Sequence, residues 1–178
     1  DDRFSVIEYW NNDLERKFAN YYVQTYSDKF EEVWFKPVTK DGDPRLSAVT
    51  DLIRLDGAVG VIGTQFSPAI KRQATKLQLW DLDGHDKGGL QTISTYTKKA
   101  KKGYEEVVAY SPDNKSLFWM GHNPTASYKK RDFFCSVTDD SGTKLWGKRL
   151  TLEPTLQKYL VKQATIDNRG NAYFYMVY

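Results

Sequence analysis

Carboxylates crowd one short stretch, Asp81-Leu82-Asp83-Gly84-His85-Asp86, where three acids two or three residues apart could wrap oxygen ligands around a calcium ion. No distal bidentate Glu completes such a loop, and Asp83-Gly84 suits equally well the tip of a hairpin, with the Asp oxygen bonding to turn amides. Asp81, Asp83 and Asp86 are therefore metal candidates and turn residues at once. His85 has no second histidine placed beside it as a metal partner, His122 being the other histidine of the chain. Trp119, His122 and Tyr128 bracket a second stretch, which could stack on a sugar or grip a peptide; Trp119, lying within a strand pattern, suits core packing as well. Lys98, Lys99, Lys101 and Lys102 could attract phosphate or an acidic partner, yet Glu105 and Glu106 follow at once, as in a solvated connector. Gly-x-Ser-x-Gly, His-Glu-x-x-His, a phosphate loop and paired Cys-x-x-Cys do not occur. No catalytic constellation emerges, and no cofactor is implied.

Composition narrows the function classes further. With 26 basic and 23 acidic residues the net charge is +3, too small for a dedicated nucleic-acid binder. The longest uncharged run, 57–70, contains three glycines and a proline and falls short of the ~18 apolar residues a membrane helix needs. A single cysteine, Cys135, forms no internal disulfide and leaves the redox compartment open.

These residues must be positioned by strands. Nine Phe, five Trp and twelve Tyr in an otherwise polar chain favour pleated, half-buried surfaces. Strand patterns cover 3–9, 19–26, 33–38, 48–55, 58–65, 76–82, 104–110, 116–121, 132–138, 144–150, 159–166 and 171–178, separated by Asp, Asn, Gly, Ser and Lys clusters. A short helical pattern spans 10–18. The chain reads as almost wholly β.

Internal repeats sharpen that reading. Tyr22-Val23-Gln24-Thr25 leads through Asp28 to Val33-Trp34 and Lys36, and Phe134-Cys135-Ser136-Val137 leads through Asp140 to Leu145-Trp146 and Lys148, at a constant offset of 112. Half that offset, 56, lands on Gln78-Leu79-Trp80-Asp81, then Gly84 and Gly89-Leu90. Asp56-Gly57, Asp113-Asn114 and Asp167-Asn168, each followed by an apolar strand, keep nearly the same period. Within one period the order is strand, turn, strand, longer loop, strand, turn, strand. A four-stranded meander buries its apolar faces only when further sheets stack on it, so the repeat predicts sheets stacked face to face around an axis, a β-propeller.

Ala109-Tyr110-Ser111-Pro112-Asp113-Asn114-Lys115-Ser116-Leu117-Phe118 resembles the blade motif of WD-type and TolB-like propellers, with Asn114 where those blades carry Gly. Leu79-Trp80-Asp81 is similar to the Trp-Asp end of a third blade strand, and 166–173 to the blade turns of large cell-envelope propeller proteins of Bacteroidota. The resemblance implies blades at 48–95 and 104–150, a partial blade at 1–38 and another at 159–178. At ~56 residues per blade the chain supplies fewer than the four to eight that close a ring, so it reads as a segment of a longer protein, in the periplasm or cell envelope. The expected role is a non-catalytic scaffold bound to a protein partner or to further blades of the same protein, with a glycan as a second ligand class. The alternative is the propeller domain of a peptidase or glycan-processing hydrolase whose active site lies outside these residues.

Overall fold

The computed structural model describes residues 3–10, 20–38, 46, 48–67, 72–97, 106–123, 132–151 and 160–177, and every regular element among them is a β-strand. The first sheet holds β1 (Phe4–Trp10), β2 (Asn20–Tyr26) and β3 (Glu32–Pro37). The second holds β4 (Ala48–Leu55), β5 (Ala58–Ser67), β6 (Arg72–Asp81) and β7 (Gln91–Thr97). The third holds β8 (Glu106–Tyr110), β9 (Ser116–Asn123), β10 (Asp132–Asp139) and β11 (Lys144–Thr151). The fourth is the hairpin of β12 (Leu160–Ile166) and β13 (Ala172–Val177). In each sheet, strands adjacent in sequence are neighbours, so the chain is a series of meanders.

The register of the β2–β3 pair recurs in the β10–β11 pair. Tyr22↔Pro37 through Thr25↔Trp34 in β2 and β3 recur as Phe134↔Arg149 through Val137↔Trp146 in β10 and β11. A bulge follows in both, after which Tyr26 faces Glu32 and Thr138 faces Lys144. Each partner is displaced by the same 112 positions. A one-residue slip would turn every apolar side chain to the other face, so this shared register preserves one buried face in both sheets.

The chain divides into two compact units, residues 1–95 and 96–178. In the first unit the β1–β3 sheet contributes Val23, Trp34 and Val38 to a core completed by Leu46 and by Val59, Val61 and Trp80 of the β4–β7 sheet. Trp34 and Trp80 meet at 6.0 Å between ring centroids, and Arg54 donates to the Arg3 carbonyl at 2.6 Å. In the second unit Phe118, Met120, Phe133, Cys135 and Val137 of the β8–β11 sheet pack with Ala164 and Ile166 of β12. Phe174 of β13 lies 5.6 Å from Phe118. Burial of each such large side chain contributes about 1.5–3 kcal/mol, which makes sheet stacking the main source of stability within either unit.

Several expectations are adjusted by the structure. Strand β7 was not among the predicted segments: Gln91-Thr92-Ile93-Ser94-Thr95-Tyr96-Thr97 has little apolar alternation and forms a strand beside β6. Strand β6 starts at Arg72 rather than 76, because Arg72–Thr75 pair with Ser67–Thr64 of the long partner β5. Of the helical pattern at 10–18, Trp10 closes β1 and the rest lies outside the described residues.

Candidate functional site

The acidic stretch forms the β6–β7 connection, and its chemistry is that of a turn. Asp81 N–H donates to the His85 carbonyl at 2.8 Å, and Gly84 N–H returns to the Asp81 carbonyl at 3.0 Å. Asp81 Oδ1 accepts from the backbone N–H groups of Asp83 (2.9 Å) and His85 (2.8 Å), while Oδ2 lies 3.0 Å from His85 Nδ1. The oxygen that organises the turn therefore belongs to Asp81, two residues before the Asp83-Gly84 tip to which the sequence pointed. Asp83 accepts from Arg3 Nη1 at 3.2 Å, and Asp86 accepts from Gly89 N–H and Gln78 Nε2 at 2.6 and 2.9 Å. The three carboxylates are thus directed to separate donors. Among the described residues no three His, Cys, Asp or Glu side chains gather as a metal ion would require.

Among the described residues the same turn is built four times. Ser27, Asp81, Asp139 and Asp167 each donate N–H to the carbonyl four residues on and accept at their carbonyl from the N–H three residues on. Each also accepts, at one side-chain oxygen, the N–H groups two and four residues on. The fourth residue of the turn is left-handed: Gly84 (φ 83°), Gly142 (φ 85°) and Gly170 (φ 81°), but Phe30 (φ 62°) in the first sheet. This is hairpin chemistry that Asp and Gly satisfy best, since one accepts amides and the other lacks the Cβ that opposes positive φ. The β8–β9 turn is a longer variant, in which Asp113 accepts from the Ser111 hydroxyl at 2.6 Å and Asn114 takes φ 55°. Asn168 Oδ1 accepts from Asp113 N–H at 3.2 Å, tying this turn to that of the fourth sheet.

Two tryptophans link these turns to the stacked sheets. Trp34 Nε1 donates to the Leu82 carbonyl at 2.9 Å in the first unit, and Trp146 Nε1 donates to the Gly170 carbonyl at 3.0 Å in the second. Their recurrence at an offset of 112 was legible in sequence; the donors' targets were not.

Trp119, a sugar-stacking candidate, is 2 % exposed, so its ring offers no open face to a ligand. Its Nε1 and the Oγ of its cross-strand partner Ser136 have no hydrogen-bond partner among the described residues. His122 lies near the end of β9, opposite Phe133, with its side chain outside the described residues. Tyr128, Lys98, Lys99, Lys101 and Lys102 also lie outside the described residues.

Open grooves also lie among the described residues of the second unit. One, of about 490 Å³, runs between the edge of β8 and β12, and Glu106, Val108, Tyr110, Lys162, Gln163 and Thr165 line it. The other, of about 480 Å³, lies between β11 and the β12–β13 turn and carries Trp146, Lys148, Arg169 and Phe174. Sequence reasoning missed both, because each combines strands whose approach no local pattern specifies. Compared with known proteins, the chain matches no family model and no curated sequence.

Proposed function

We propose that this chain is part of a β-propeller, with four-stranded blades of about 56 residues, and acts as a non-catalytic scaffold for protein interaction. The observation that carries this reading is the shared register of β2–β3 and β10–β11, bulge included, joined to face-to-face sheet packing within each unit. In this reading β4–β7 and β8–β11 are complete blades, and β1–β3 and β12–β13 are partial ones. The acids that first invited a metal role serve turns, which leaves sheet faces and loops as the working surfaces.

An experimental structure tests the architecture: successive sheets should be related by a nearly constant rotation about one axis, and unrelated sheet orientations would refute the propeller. Turnover against peptide and glycan panels tests the role. Asp83→Ala, His85→Ala and His122→Ala should leave the protein's function intact; robust turnover abolished by one of them, with folding preserved, would favour an enzyme.

A further inference from the structure

One strand of the second unit breaks its own alternation. On β11, Trp146, Lys148 and Leu150 alternate onto one side, and Trp146 and Leu150 pack against the core. An ammonium group therefore stands where the pattern calls for a third apolar side chain. Lys148 lines the cavity of about 480 Å³ between β11 and the β12–β13 turn, and Arg169 of that turn lines it too. Phe174 enters from the core-facing side of β13, 5.6 Å from Phe118. The groove thus opens between the facing sides of two stacked sheets and not on an outer face.

The first unit repeats the construction with a different charge. Trp34 and Lys36 alternate in the same way on β3, and Trp34 donates to the Leu82 carbonyl as Trp146 does to that of Gly170. Lys36 reaches the β6–β7 turn, its Cε 3.3 Å from where a Cβ on Gly84 would stand. The second residue beyond the organising Asp81 is Asp83, which accepts from Arg3 Nη1 at 3.2 Å. The second residue beyond the organising Asp167 is Arg169. A carboxylate at this turn position in one unit is a guanidinium in the other.

Nothing among the described residues neutralises the pair. No Asp or Glu is among the described residues that line the groove, and the side chains of Lys148 and Arg169 make no ion pair or hydrogen bond among the described residues. Asp167, the acid of this turn, is engaged at both oxygens. Oδ1 accepts the N–H groups of Arg169 and Asn171, and Oδ2 accepts the Asn171 amide and the Tyr173 hydroxyl.

We propose that this groove binds an acidic glycan, a sugar ring resting on Phe174 and Trp146 while its carboxylate or sulfate pairs with Lys148 and Arg169. Guanidinium and ammonium groups recognise either oxyanion, and the aromatic rings take the apolar face of a pyranose. Asn171 donates its amide to Asp167 and keeps its own Oδ1 for a sugar hydroxyl. The volume is within the range of small-ligand sites. An acidic peptide would satisfy the charges but supplies no ring for the aromatic side chains. The site goes beyond the protein-scaffold reading and does not depend on it.

Titration of the whole chain with a galacturonate tetrasaccharide, a sulfated tetrasaccharide and neutral maltotetraose, followed by tryptophan fluorescence and calorimetry, tests this. At least one acidic sugar should bind saturably within about 10 mM, more weakly as salt rises, and maltotetraose should not bind. The two acidic arms tell carboxylate from sulfate recognition. Lys148→Gln and Arg169→Gln should each weaken binding at least about fivefold. Both side chains are exposed, so the fold should persist, with circular dichroism as the check. Lys36→Gln, which removes the equivalent charge from the first unit, should leave binding unchanged. No saturable binding of either acidic sugar, equally tight binding of a hexaglutamate peptide, or a loss from Lys36→Gln as large as that from Lys148→Gln would overturn the proposal.

Discussion

At the scale of residues, the chain's acids are held by turns, and their titration follows from who holds them. The backbone N–H of His85 lowers the pKa of Asp81 below its ordinary 3.8, the Ser111 hydroxyl does so for Asp113, and the Asn171 amide for Asp167. Folded carboxyls with depressed pKa stabilise the protein above their unfolded values, and that contribution disappears as pH falls through the folded ones. Asp51 has the opposite sign, because burial raises its pKa, but it stands against three. Urea midpoints should therefore hold steady from neutrality to about pH 5 and fall below about pH 4, with Asp167→Asn showing a shallower fall. A flat profile down to pH 2.5 would contradict these turn assignments. The Asp-x-x-Gly spacing of 81–84, 139–142 and 167–170 was visible in sequence. Which of Asp81 and Asp83 supplies the organising oxygen was not, because that depends on where the paired strands end and the turn begins.

At the scale of elements, strands were legible wherever apolar alternation coincided with flanking turn residues, as in β4, Ala48–Leu55. They were illegible where pairing alone extends a polar segment, as at Arg72–Thr75 and in β7. Hairpin and neighbouring sheet interlock at Gly84, where a Cβ would come within 2.9 Å of Trp34 Cγ, whereas one at Gly89 would meet nothing within 4 Å. Both glycines have positive φ. Gly89→Ala should thus cost about 1 kcal/mol, the backbone term alone, and Gly84→Ala should cost at least ~1 kcal/mol more through the displaced indole. Chemical denaturation measures the difference; equal losses would show that Trp34 does not lock this turn. Trp34→Phe and Trp146→Phe, each losing one indole hydrogen bond and some contact area, should cost similar amounts, about 1–2 kcal/mol.

At the scale of the whole molecule, stability should follow burial. The slowest hydrogen exchange is expected in β2, β5, β6, β9 and β10, which have a neighbouring strand on each side, and the fastest in the β12–β13 hairpin. Cys135 reports opening of the second unit: it is buried, its thiol pKa is pushed up to about 12 by desolvation, and it should resist alkylation until that unit opens. Labelling that outpaces exchange of β9 and β10 amides would refute this assignment of the core. The sequence by itself determined the all-β character and most hairpin positions, since alternation and turn chemistry are written in residues that are near neighbours. Tertiary structure decided that Trp119 faces inward while Phe30 faces outward, that Asp81 rather than Asp83 closes its turn, and that the first and last sheets keep aromatic faces in solvent. Those outcomes depend on bulges, strand partners and stacked sheets supplied by residues far along the chain, and burial is a property of the assembled faces rather than of any one strand.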